Sequence, residues 1–260
     1  MQRFSAWAVV LLLAAAPAGA AEPTFLFGAI GKQPVMLRLR FAGDQIDGWY
    51  LYFAPARQWL LSGSRGADGA FELKATASGK PIGRIAGVAR GGQWTGTWSK
   101  PDGTSTAPFS AREVVGAPAD LAGPIRCQSR RDVEYGWTYA PSLTLAISRG
   151  AITKFAAQLD ATVKADGQSC SYSLSSFEPE ATKVGLALIS RGASDPPPEG
   201  ERKCVIRIVG DADHLYVGFG ESGDSGDDCR SGDDEMFCSA RGFMAPLVVD
   251  RASRICRGVQ

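Results

Sequence analysis

The sequence predicts an all-β protein made of two antiparallel β-domains. Three observations carry that expectation. Apolar and polar residues alternate with period 2 in run after run, Gly-, Pro- and Asp-rich turn clusters separate these runs, and all six cysteines fall in the second half of the chain. Alternation with period 2 places one side of each run in a core and the other outside, as a strand does and a helix does not.

Taken in order, the first half predicts about eight strands, near 24–30, 35–41, 48–53, 58–62, 70–76, 82–89, 93–99 and 107–113. Val35, Leu37, Leu39 and Phe41 fall on one face of the second, with Met36, Arg38 and Arg40 on the other. Phe71, Leu73 and Ala75 against Glu72 and Lys74 repeat the pattern. Turn clusters lie between the runs: Ala42-Gly43-Asp44, Arg65-Gly66-Ala67-Asp68-Gly69, Ser78-Gly79-Lys80-Pro81, Arg90-Gly91-Gly92 and Pro101-Asp102-Gly103. Short up-and-down strands can close on themselves and remove exposed edges, so a small barrel is the economical architecture.

The stretch Gly116-Ala117-Pro118-Ala119-Asp120-Leu121-Ala122-Gly123-Pro124 has linker composition. It divides the chain into a Cys-free domain over 21–115, a linker over 116–124 and a Cys-rich β-domain over 125–260. In the latter, Leu143, Leu145 and Ile147 alternate, as do Val205, Arg207 and Val209 against Ile206 and Ile208. Ile152, Phe155, Ala156 and Leu159 fit helical spacing and strand equally, while Pro196-Pro197-Pro198 marks an exposed loop.

A resemblance rests on three segments: Gly28-x-Ile30-Gly31-Lys32-x-Pro34-Val35, Gly48-Trp49-Tyr50-x-Tyr52, and Gly96-x-Trp98-x-x-Pro101-Asp102-Gly103. In this order they resemble the small exported β-meander domains of many bacterial proteins, over residues 24–112. The resemblance implies a lipocalin-like strand plan, without the lipocalin G-x-W signature near the first strand, and it brings no activity with it. The Cys-rich half resembles no family.

Residues 1–20 read as a cleavable export signal. Arg3 is followed by an apolar run from Ala6 to Ala16, then Pro17, then the small residues Ala18-Gly19-Ala20. The run is about 11 residues, well short of the roughly 20 that span a bilayer, so the mature chain is expected to carry no transmembrane segment and to be periplasmic or secreted. In an oxidising compartment Cys127, Cys170, Cys204, Cys229, Cys238 and Cys256 are expected to form disulfides. The pairing Cys127–Cys256, Cys170–Cys204 across neighbouring strands and Cys229–Cys238 is one of several that spacing allows. Zinc would want a C-x-x-C or a Cys/His cluster, and the sequence has neither.

Charge narrows the partners. Residues 22–115 carry 11 Lys/Arg against 7 Asp/Glu, and 116–260 carry 16 against 20, leaving the mature chain near neutral. A general nucleic-acid binder needs a clustered basic excess, so none is expected. The acidic half owes its sign to one window, with Glu221, Asp224, Asp227, Asp228, Asp233, Asp234 and Glu235 against Arg230. This window reads as a solvated loop, as a docking loop for a basic partner, or as a Ca²⁺ loop. The last is weakened because Gly226 replaces the third ligand and Cys229 the required glycine of a calcium loop.

Catalytic signals are few. Gly223-Asp224-Ser225-Gly226 is similar to a serine-protease segment, but the chain has one histidine, His214, just before it. His214 is expected instead to open a strand over 215–219. Trp49, Trp94 and Trp98 are candidates for an aromatic ligand surface, Trp94 and Trp98 sharing a face with room above Gly96; the competing reading buries them in the barrel core. The expected function is a non-enzymatic binding or scaffold protein of the cell envelope, taking an envelope or extracellular protein or a small apolar ligand, with no cofactor. Inhibition of a basic, lysozyme-like enzyme through 221–235, or carboxylate-dependent hydrolysis of envelope polymers, are the alternatives.

Overall fold

The computed structural model describes residues 22–54, 56–123, 125–127, 131–132, 137–163, 167, 169–174, 178–180, 182–190, 204–219 and 246–259. These residues are all strand, turn or irregular, with no helix among them. Eight antiparallel strands close into a barrel: β1 (Thr24–Ile30), β2 (Gln33–Ala42), β3 (Gln45–Tyr52), β4 (Arg57–Arg65), β5 (Ala70–Ala77), β6 (Lys80–Arg90), β7 (Gln93–Ser99) and β8 (Thr106–Glu113). Each strand pairs with its sequence neighbour, and β8 returns to β1 through Gly28 opposite Ala111. All eight expected strands are present. At the Gly91-Gly92 turn both residues take positive φ, 55° and 77°, which suits a tight two-residue hairpin loop between right-twisted strands.

The inward face of the barrel is filled by side chains. Leu26, Val35, Leu37, Leu39, Leu73, Ile85 and Trp94 are each fully buried. The room expected above Gly96 is absent. Gly96 lies opposite Gly87, and a Cβ on Gly96 would run into the carbonyl oxygen of Ala86 and come within 2.8 Å of the Gly87 Cα. Two glycines face each other there because the β6 and β7 backbones approach too closely for side chains.

The second half forms two sheets. One has the order β10 (Arg131–Asp132), β11 (Trp137–Ser148), β12 (Ala151–Val163), β13 (Ser169–Leu174). The segment with ambiguous spacing is thus strand. It folds back on β11 through Arg149-Gly150, and Asp120 Oδ1 accepts a 2.7 Å hydrogen bond from the Arg149 amide. The other sheet has the order β14 (Glu178–Glu180), β15 (Leu186–Ser190), β16 (Cys204–Gly210), β17 (His214–Phe219), β18 (Leu247–Asp250), β19 (Ile255–Gly258) and then β9 (Arg126–Cys127), which joins β19 in parallel. Leu143, Leu145 and Ile147 of β11 share a core with Ile206, Ile208, Leu215, Val217 and Val249 of the larger sheet. Cys127 and Cys256 stand directly opposite each other on the parallel pair and form a disulfide, the first of the three expected pairings.

The larger sheet is covered on both faces. Ile206 and Ile208 point into the sandwich core, while Val209, Tyr216 and Val248 point the other way, onto the outside of the barrel. There they meet Phe25, Phe27, Met36, Trp49 and Leu51, all buried. Burial on both faces explains why β16 to β18 read as nearly unbroken apolar runs. Arg207 is the polar member of this seam, 8% exposed. It donates to Thr182 Oγ1 and the Val184 carbonyl, and its guanidinium lies 3.5 Å from Glu22 Oε1 and 5.9 Å from the Phe25 ring centre. The expected linker is tied to the second half: Leu121 pairs with Ile147 and is buried, and Arg251 donates to the carbonyls of Ala119 and Asp120.

Candidate functional site

The two ends of the barrel differ. At one, Trp94 lies fully buried, 4.7 Å from Phe71 and 6.3 Å from Phe41 between ring centres. Its Nε1–H donates to Glu113 Oε1 at 3.1 Å, and the Arg65 guanidinium lies 5.7 Å from its ring. A buried indole with its one donor satisfied and a cation near its ring seals this end around Trp94, with Phe41 beside it the one partly exposed ring of the cluster.

At the other end three rings are partly exposed over a buried fourth. Tyr50 and Tyr52 share the inward face of β3, and register places Trp59 of β4 directly opposite Tyr50. Tyr50 and Trp59 stack at 5.2 Å, and Tyr52 meets both edge-on, at 5.6 and 5.3 Å. Trp98 stands opposite Ile85 across the β6–β7 pair. A Cβ on Gly83 would lie 2.7 Å from its Nε1, so the missing side chain makes the space that the indole occupies. Tyr50 is buried below, whereas Tyr52, Trp59 and Trp98 are each partly exposed around the opening. Together they form an aromatic mouth.

Both phenols are held neutral. Burial pushes the Tyr50 hydroxyl well above the ordinary phenol range, and neighbouring Tyr52 adds to this while the Trp98 indole opposes it. Burial raises Tyr52 as well. The Trp98 N–H is near enough to Tyr50 to ease its ionisation, but the pair falls short of a well-formed hydrogen bond, leaving a buried donor unsatisfied. Near neutral pH the mouth therefore offers ring faces and hydroxyl groups, not a phenolate base.

Of the three tryptophans expected to make a ligand surface, Trp98 alone lies at this opening. Trp94 seals the far end, and Trp49 faces outward into the seam, its ring centre 5.3 Å from that of Tyr216. Tyr50, Tyr52 and Trp59 complete the cluster. Their signal was alternation: Trp49 falls between Ile46-and-Tyr50 parity positions, so it must face away from them.

The other candidates are dispersed. His214 opens β17, donates its amide to Asp211 Oδ1 at 2.7 Å, and stacks on Phe53 at 4.3 Å across the seam. Cys170 lies on β13 and Cys204 on β16, strands of different sheets and not neighbours; their side chains lie outside the described residues, as do Cys229 and Cys238. The acidic window 221–235, with Glu221, Asp224, Asp227, Asp228, Asp233, Asp234 and Glu235, also lies outside them, and with it the calcium, basic-partner and hydrolase readings. Among the described residues, no group of three or more His, Cys, Asp and Glu is placed to hold a metal ion.

No family model matches the chain, and no curated protein matches it. Among solved structures it is similar to the chain described as "The Structure of Intact Ap-TbpB (N and C lobes)". That likeness has 8% sequence identity and a TM-score of 0.26, and it covers 89% of this chain and 72% of that one. A likeness at that TM-score supports no argument about fold or site.

Proposed function

We propose that this chain is an exported, non-enzymatic binding protein of the cell envelope that holds its ligand at the open mouth of the barrel. The observation that carries this reading is the contrast between the two barrel ends: one tryptophan sealed and hydrogen-bonded, against a cluster of partly exposed rings. Exposed aromatic groups cost hydrophobic free energy unless something covers them, and clustered rings beside a few polar groups are common ligand contacts. The disulfide Cys127–Cys256 suits an oxidising compartment.

Retention on an immobilised panel of envelope glycans tests the reading. The full-length mature chain is expected to be retained by at least one member, and Trp59→Ala to weaken that retention about tenfold, or ~1.4 kcal/mol. Trp59→Phe, which keeps a ring in place, is expected to fall between the two. Retention that is the same for all three chains would move the site away from the mouth.

A further inference from the structure

We propose that the mouth takes an acidic saccharide, a sugar chain bearing carboxylates, which lies across the rings while the rim cations hold its charge; this rests on the mouth being the binding site. The rim is built by the turns at that end of the barrel and the strand residues beside them. These place Lys32 after β1, Arg57 at the start of β4, Lys80 at the start of β6 and Lys100 after β7, all exposed. The one carboxylate among them, Asp102, is turned to its own loop, accepting from the Thr104 amide at 3.0 Å and the Thr104 hydroxyl at 2.8 Å. Counted in the same way, the sealed end carries Arg65, Arg90 and Arg112 against Asp44, Asp68 and Glu113, which balance. Most of the positive excess of the first half is thus gathered around the aromatic opening. A ring of like charge around an apolar floor draws in and orients an anion.

The packed interior decides what kind of anion fits. Leu37, Leu73 and Ile85 are fully buried beneath the rings, so an acyl chain has no channel to enter. A ligand must lie outside the packed interior, and because Tyr52 stands edge-on to Trp59 it can stack on one of these rings and meet the other at its edge. The apolar C–H face of a pyranose ring does so, and its hydroxyls can accept from the neutral Tyr52 hydroxyl. Carboxylates along the chain would then reach the lysines and Arg57, whose fork suits a carboxylate.

Titration calorimetry with a galacturonate hexamer and its fully methyl-esterified counterpart separates charge from stacking. The acid is expected to bind at least about tenfold tighter than the ester, and to weaken as sodium chloride rises from about 0.05 to 0.5 M, since salt screens exposed charge. The triple variant Lys32→Gln/Lys80→Gln/Lys100→Gln alters exposed side chains and leaves the core intact. It is expected to lose about tenfold for the acid and nothing for the ester. Equal binding of acid and ester, or an unchanged triple variant, overturns the acidic-saccharide assignment. If Trp59→Ala still weakens both probes in that case, the mouth stands as a site for a neutral ligand. Binding of neither probe overturns the assignment as well, and the glycan panel then decides on the mouth separately.

Discussion

Tyr50 sits where core and mouth meet, buried among Tyr52 and Trp59 with the Trp98 indole near its hydroxyl. Its phenol prefers the neutral form in the folded state because burial and Tyr52 disfavour the anion. The linkage has a definite sign. Stability from this preference is fully present below the ordinary phenol pKa of about 10 and is lost as pH rises through the higher folded value. A phenolate titration followed by ultraviolet absorbance is therefore expected to include late-ionising components from Tyr50 and Tyr52, with Tyr50→Phe removing the later of these two. If every tyrosine ionised together near the ordinary value with the fold intact, the buried mouth floor would be contradicted. At the acid end the sign reverses. Asp211 resists burial through hydrogen bonds from His214 and Asp213, and its lowered pKa gives stability that is lost as pH falls through the folded value.

At the level of elements, the disulfide holds β9 beside β19, a parallel pair of two residues that hydrogen bonds alone would hold weakly. It closes a sequence separation of 129. Replacing both partners, Cys127→Ser with Cys256→Ser, is expected to cost about 2–5 kcal/mol and to lower the melting temperature. An unchanged melting curve would show that this edge contributes nothing. The barrel strands were legible because most alternate on a period of 2, as β5 and β8 do, and turns with Gly, Pro or Asp separate them, signals that lie within a few residues of one another. β12 was ambiguous because Ile152, Phe155, Ala156 and Leu159 satisfy both periods, and long-range pairing with β11 decided it. The mouth was half-legible: Trp98 stood out by type, but Tyr50 meeting Trp59 depends on the β3–β4 register. The seam was not legible. The runs around Phe25-Leu26-Phe27 and Trp49-Tyr50-Leu51 are apolar on both faces, yet which partner covers the outer face is a tertiary fact.

Across the whole molecule the halves behave as one packed body, since the aromatic seam of Phe25, Phe27, Trp49 and Tyr216 buries one side of the barrel against the larger sheet. The barrel is thus covered along that side, filled within and sealed by Trp94 at one end, which leaves the mouth as its open aromatic surface. Charge follows the same plan, with Lys32, Arg57, Lys80 and Lys100 around the opening. A rigid scaffold beneath partly exposed rings favours binding by stacking, because the rings are already ordered before a ligand arrives. Ligand contact is therefore expected at this end. Amide chemical-shift mapping of the isotope-labelled chain with the galacturonate hexamer tests this. Perturbations are expected to be confined to residues 31–33, 52–59, 78–83 and 98–107; shifts concentrated at 43–44, 66–69 and 91–92, or on the second half away from the mouth, would contradict a site there.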